Sequence, residues 1–134
     1  MKLEPTENSV KPAVELWSFG FKYGAIDANL VVDARFLPNP YYVPSLCHMT
    51  GEDAPCAAHV FKDPGTEAFS EALADLIHAM ERAFGEQGKK SLKVAVGCTG
   101  GQHRSVAVVE TVAKTLRAAD IDLSVHHREL GKAV

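Results

Sequence analysis

No stretch of this 134-residue chain holds the roughly 18 consecutive apolar residues of a membrane-spanning helix, so a membrane protein is not expected. Positive charge is in short supply as well. Fourteen Lys and Arg face seventeen Asp and Glu, a net charge of −3, which is not the balance of a protein that grips nucleic acid over a broad surface. A local basic patch stays open. Cysteine is scarce: three residues, an odd number without paired spacing, exclude a disulfide framework and fit a reducing cytoplasm. Neither the G-x-x-x-x-G-K-[ST] phosphate loop nor the G-x-G-x-x-G dinucleotide fingerprint occurs, and no cofactor is implied. The opening MKLEPTENSVKP lacks the apolar centre of a signal peptide. Residues 1–13 read as a flexible tail ahead of a single domain over 14–134.

Against those absences stand alternating strand-like and helix-like runs. Val14–Gly20 and Leu30–Phe36 have the β-branched apolar character of strands, the second that of a buried strand in a parallel sheet. The proline-bearing stretch LPNPYYVPSLCHMTGEDAP then reads as one long irregular loop. Between Thr66 and Phe84 the period changes to that of a helix. Phe69, Leu73, Leu76, Ile77, Met80 and Phe84 share one face, as a core-packing stripe would. LKVAVGC follows as a buried strand. Val106, Val109, Val112, Ala113 and Leu116 mark a second amphipathic helix, and LSVHHREL a closing edge strand. The order predicts an α/β fold, a small mostly parallel sheet flanked by helices.

The most informative segment joins the third strand to the second long helix, GCTGGQHRS. Ligands of open α/β sheets gather at the carboxyl ends of strands, and a helix N-terminus there offers unpaired N–H groups and partial positive charge. Gly100 and Gly101 admit close approach of a ligand to backbone. Thr99, Gln102, His103 and Ser105 add polar groups, and Arg104 a two-pronged contact suited to phosphate. This is an anion-binding loop. Cys98, Gly101, Arg104 and Ser105 also match the C-x-x-G-x-x-R-S pattern of cysteine-dependent phosphatases. The alternative is therefore an enzyme in which Cys98 attacks phosphorus, Arg104 stabilises the equatorial oxygens and an aspartate, Asp33 or Asp53, serves as acid. Gly97 stands where those enzymes usually carry histidine.

Taken with SFGFKYG, DARFLPNPYY and MTGEDAPCA in the same order, this turn closely resembles the C-terminal domain of the RapZ/YvcJ family of RNase adapter proteins. The likeness runs over about residues 15 to 130. Full-length members resemble a kinase-like ATPase domain joined to this one, and ATP hydrolysis has no support in the residues present. The resemblance implies a sensor or adapter that binds glucosamine-6-phosphate, and in enteric members a structured small RNA presented to an endonuclease. It also implies a homo-oligomer. The implied sugar-phosphate residues are Asp33, Arg35 and Asn39, with Cys98, Thr99, Gly100, Gly101, His103 and Arg104. Asp33 and Arg35, two apart, would share one face of an extended strand, or else form an ion pair. Tyr41 stands where enteric members have histidine, and a phenol can still stack on a sugar.

The enteric RNA contact uses a lysine- and arginine-rich tail. This chain ends HHRELGKAV, so RNA affinity, which rests on phosphate contacts, is expected to be weak. Lys114, Arg117, His126, His127 and Arg128 are the residues left to form a modest basic patch around Arg104. Cys47, His48, Cys56 and His59 lack any zinc spacing, and no metal is expected there.

Overall fold

The computed structural model describes residues 9–132. Its centre is a four-stranded, all-parallel sheet in the order β2-β3-β1-β4. The strands are β1 (Ala13–Gly20), β2 (Leu30–Asp33), β3 (Ser91–Cys98) and β4 (Leu123–His127). Three helices complete the α/β fold: α1 (Ala54–Val60), α2 (Pro64–Glu86) and α3 (Arg104–Ala118). Alternation decides which strand residues meet the helices. Val14 and Leu16 of β1, with Leu92, Val94 and Val96 of β3, join Leu73, Ile77, Val108, Val112 and Leu116 in one core. The opposite face stays partly open. There Trp17 lies between His126, stacked at 4.4 Å, and the Lys93 ammonium, 4.6 Å from its ring centre.

Helix ends follow from local chemistry. Asp63 caps α2 by accepting from the Gly65 N–H at 2.9 Å, and Pro64 occupies the first turn, where its missing donor loses nothing. Gly88, with φ +75°, turns the chain back after that helix.

Four sequence expectations change. The proline stretch is not all irregular: Pro40–Tyr42 is a 3-10 turn and Ala54–Val60 is a helix. Pro55 sits in the first turn of α1, where a proline is compatible with helix. β2 ends at Asp33 and lies at the sheet edge, so Val31 is exposed rather than buried. Leu76 is 46% exposed. The helical repeat places it about a quarter turn from Ile77, off the line by which α2 packs. β4, an edge strand as expected, stops at His127, and residues 128–131 form a turn. Of the tail, residues 1–8 lie outside the described residues. Val10 pairs with α2, its N–H donating to Gly85 O at 3.0 Å, and Ala13 already belongs to β1.

Candidate functional site

The carboxyl ends of β1 and β3 lie side by side, with Gly20 opposite Cys98. The chain leaving β3 turns through Thr99–His103 into α3. Gly101 makes that turn possible. Its φ is +74°, and a Cβ there would stand 2.6 Å from Gly20 N and 2.8 Å from Phe19 C. The loop therefore rests backbone to backbone on the end of β1. Among the described residues, the N–H groups of Gly100, Gly101, Gln102 and His103 meet no acceptor. They stand at the positive end of α3, the arrangement that binds anions.

A cleft of about 360 Å³ opens over this turn, lined by Cys98, Thr99, Gly100, Gln102, His103 and Arg104 from below and by Asn39, Tyr41, Tyr42 and Lys22 from the sides. Arg104 is its central charge. It is 6% exposed, and its guanidinium donates to Arg35 O and, at 3.4 Å, to Thr99 Oγ1. Its Nε is buried without a partner, and no salt bridge among the described residues involves it. Its charge is felt by the Asp33 carboxylate, but that carboxylate is already paired with Arg35, and a buried cation with no direct ionic partner carries a desolvation cost that an anionic ligand would offset.

His103, the residue before α3, places Nε2 3.0 Å from Cys47 O. A carbonyl requires a donor, so the neutral ring carries its proton on Nε2. Burial is the main cause that lowers the His103 pKa; the Cys47 and Met49 carbonyls oppose it, and the Arg104 charge adds to the lowering. A lowered folded value means that the unfolded chain binds the proton more tightly. The His103 contribution is then complete above the ordinary value of 6.5 and is lost as pH falls through the folded value. His59 is shifted the same way by burial, so comparison with a variant isolates His103. Urea melts at pH 7 and pH 5 should show a smaller loss of stability in His103→Gln than in the wild type. Equal losses would contradict this assignment.

Some expected site residues stand elsewhere. Asp33 and Arg35 do not line the cleft. The Arg35 Nε lies 3.0 Å from both Asp33 oxygens, with Nη2 at 2.7 Å from Oδ2, and the guanidinium covers the Phe21 ring at 4.2 Å. The Arg35 side-chain bond holds the Asp33 carboxyl below its ordinary range. Held in that pair and off the cleft lining, Asp33 is poorly placed to donate a proton to a ligand there; Asp53, the other candidate acid, accepts from the Thr50 N–H at 2.9 Å and does not line the cleft either. Cys98 lines the cleft but is almost wholly buried, 3.1 Å from Ser105 Oγ, and Ser105 is fully buried and off the cleft. Cys56 is buried too, and burial pushes its thiol up to about 11. Gly101 faces the sheet.

The proposed basic patch does not assemble on one face. His126 stacks on Trp17, whereas His127 points to the helix side, bonded to Ser18 and Glu110. Arg128 is committed to Glu129 and to the carbonyls of Gly24 and Ala25.

Sequence reasoning missed three residues. Lys22 and Tyr42 lay within quoted motifs but carried no distinguishing spacing. Glu129, fully buried, accepts from the Gly20 N–H at 2.7 Å and from Arg128 and Lys132, and its carbonyl accepts from Gln102. Burial alone would raise its pKa, but the donors from Gly20, Lys132 and Arg128 outweigh burial and leave it lowered.

Comparison with known proteins agrees with this architecture. The family described as "RapZ C-terminal domain" matches residues 12–131. A protein named "Nucleotide-binding protein" from Lactiplantibacillus plantarum is 46% identical over 120 residues, 89% of this chain and 40% of that protein. Another of the same name, from Salinispora arenicola, is 47% identical over 127 residues, 94% of this chain and 43% of that protein. A third, from Streptomyces avermitilis, is 47% identical over 116 residues, covering 86% and 39%. The chain thus spans about two fifths of the length of these curated relatives.

Proposed function

The chain belongs to the RapZ C-terminal domain family, an adapter or regulatory domain, and from that premise we propose that its cleft binds a phosphorylated small molecule of the amino-sugar phosphate class. Arg104, a buried guanidinium without a carboxylate partner at the floor of the cleft, is the observation that carries the reading. The phosphate group would accept from the N–H groups of Gly100, Gln102 and His103 and from Arg104, with Lys22 adding a second positive charge. Asn39, Tyr41 and Tyr42 close the sides, where an amide and two phenols can meet sugar hydroxyls and ring faces. Binding rather than turnover is favoured because Asp33, a candidate acid, is held by Arg35 and does not line the cleft. No helix among the described residues is long and apolar enough to cross a membrane.

The reading does not extend to RNA presentation. His126 and His127 lie on opposite faces of the sheet and Arg128 is occupied by a carboxylate and carbonyls, so of the expected patch Lys114 and Arg117 of α3 are the exposed cations that are left, too few to neutralise phosphates in a row.

Thermal melts with glucosamine-6-phosphate, glucose-6-phosphate, glucosamine and inorganic phosphate test the proposal. At about 100-fold excess over Kd, a bound ligand stabilises by about 2.7 kcal/mol. The sugar phosphates should raise Tm by several degrees and glucosamine should not. A shift that does not depend on the phosphate group would overturn the reading.

A further inference from the structure

A second group of side chains lies outside the cleft. Glu52 comes from the loop before α1, Glu110 from the middle of α3 and His127 from the end of β4. One ligand atom from each can be chosen so that all lie within 4.8 Å of one another. We propose that these three residues form a binding site for a divalent zinc-class ion, in which His127 Nε2 and one oxygen each of Glu52 and Glu110 are the ligands.

The His127–Glu110 contact, 2.9 Å from Nε2 to Oε1, could by itself be a simple ion pair. Glu52 is what that explanation leaves over. It brings a second carboxylate against the first, and no Lys or Arg forms a salt bridge with either among the described residues. Two like charges at this separation repel unless a cation stands between them. The imidazole is also oriented as metal-bound histidines usually are. His127 is nearly buried, and its other nitrogen, Nδ1, is held 2.6 Å from Ser18 Oγ, which leaves Nε2 directed at the carboxylates.

The donor set selects the ion. Imidazole nitrogen with two carboxylates suits zinc and its first-row neighbours, whereas magnesium and calcium prefer oxygen alone. Two negative charges match one divalent ion. Three protein ligands leave a fourth position to water in a tetrahedral shell. The site adjoins a cleft of about 500 Å³, kept open by Ala54, Ala57 and Ala107 and bordered by Lys114.

An ion here would act as a clamp. Gly51, beside Glu52, donates its N–H to Gln102 O at 2.9 Å, and a Cβ on it would stand 2.4 Å from both His103 O and Ala107 N. The loop that carries Glu52 is thus already packed on the start of α3. Metal would fasten it to the same helix further along and to β4. This inference stands on its own geometry and does not require a sugar phosphate in the other cleft.

Calorimetric titration of the chelator-treated full chain with zinc chloride tests it, with Glu52→Gln, Glu110→Gln and Cys47→Ser alongside. Wild type and Cys47→Ser should bind one equivalent, and each Glu variant should bind at least about tenfold more weakly. Glu52 is on an exposed loop, so its variant should melt like the wild type without metal. Cobalt binding should give a visible d–d band without thiolate charge transfer. Equal zinc affinity in the wild type and both Glu variants, no binding at all, or a thiolate band would overturn the site.

Discussion

An Arg104→Ala variant is expected to keep its fold and to gain no stability from a sugar phosphate. Removing one partner of a buried, hydrogen-bonded charge pair typically loses about 2–5 kcal/mol of binding, or about 30-fold to several-thousand-fold in Kd. The unliganded protein behaves differently. Arg104 gives up two hydrogen bonds, to Arg35 O and Thr99 Oγ1, but its removal also relieves a desolvated cation whose Nε has no partner. The two effects oppose each other, so the unliganded melting temperature should stay within a few degrees of the wild type. Titration calorimetry with glucosamine-6-phosphate, paired with melts of both proteins without ligand, checks this. If the variant binds as the wild type does, the cradle is misassigned. If it binds weakly only because it no longer folds, Arg104 is a structural residue.

Gly101→Ala should destabilise the fold strongly. The added Cβ would meet Gly20 N at 2.6 Å, Phe19 C at 2.8 Å and Glu129 Cβ at 2.9 Å, at a φ of +74° that alanine rarely adopts. Two of these neighbours are backbone of β1 and cannot rotate away. A loss of about 2–4 kcal/mol is expected from strain and overpacking together, on the order of 10 °C in Tm. Gly100 differs: a Cβ there finds only the end of the Lys22 side chain, 3.8 Å away. Gly100→Ala should therefore fold normally. Urea denaturation of the two variants separates the roles, and equal stability would mean that the loop is not pinned to β1 as described.

These contrasts show what the sequence could and could not say. The strand ending at Cys98, the glycine turn and the arginine opening α3 were legible because hydrophobic periodicity and turn chemistry are local. So was the parallel sheet, since strands alternate with helices. The strand order was not legible. It makes β2 an edge and exposes Val31. His126 and His127 fall on opposite faces by the alternation of any strand, a consequence of the strand reading that a count along the sequence overlooks. A basic patch counted along the chain is thereby divided. Asp33 and Arg35 allowed two local readings, a shared ligand face, which the sequence favours, and an ion pair; the bidentate pair at 2.7–3.0 Å is the one observed. Glu129 was invisible for another reason. Its burial against Gly20 depends on contact between residues 109 positions apart, which no local pattern encodes.

The N–H groups of Gly100, Gln102 and His103 and the side chain of Arg104 are the core of the account, and amide spectra of the 15N-labelled chain address them directly. Addition of glucosamine-6-phosphate should shift the Gly100–Arg104 amides and the Arg104 Nε–H resonance most, with smaller changes at Lys22 and Tyr41. Saturating ligand that leaves those signals in place, or moves only residues on the open face around Trp17, would contradict it.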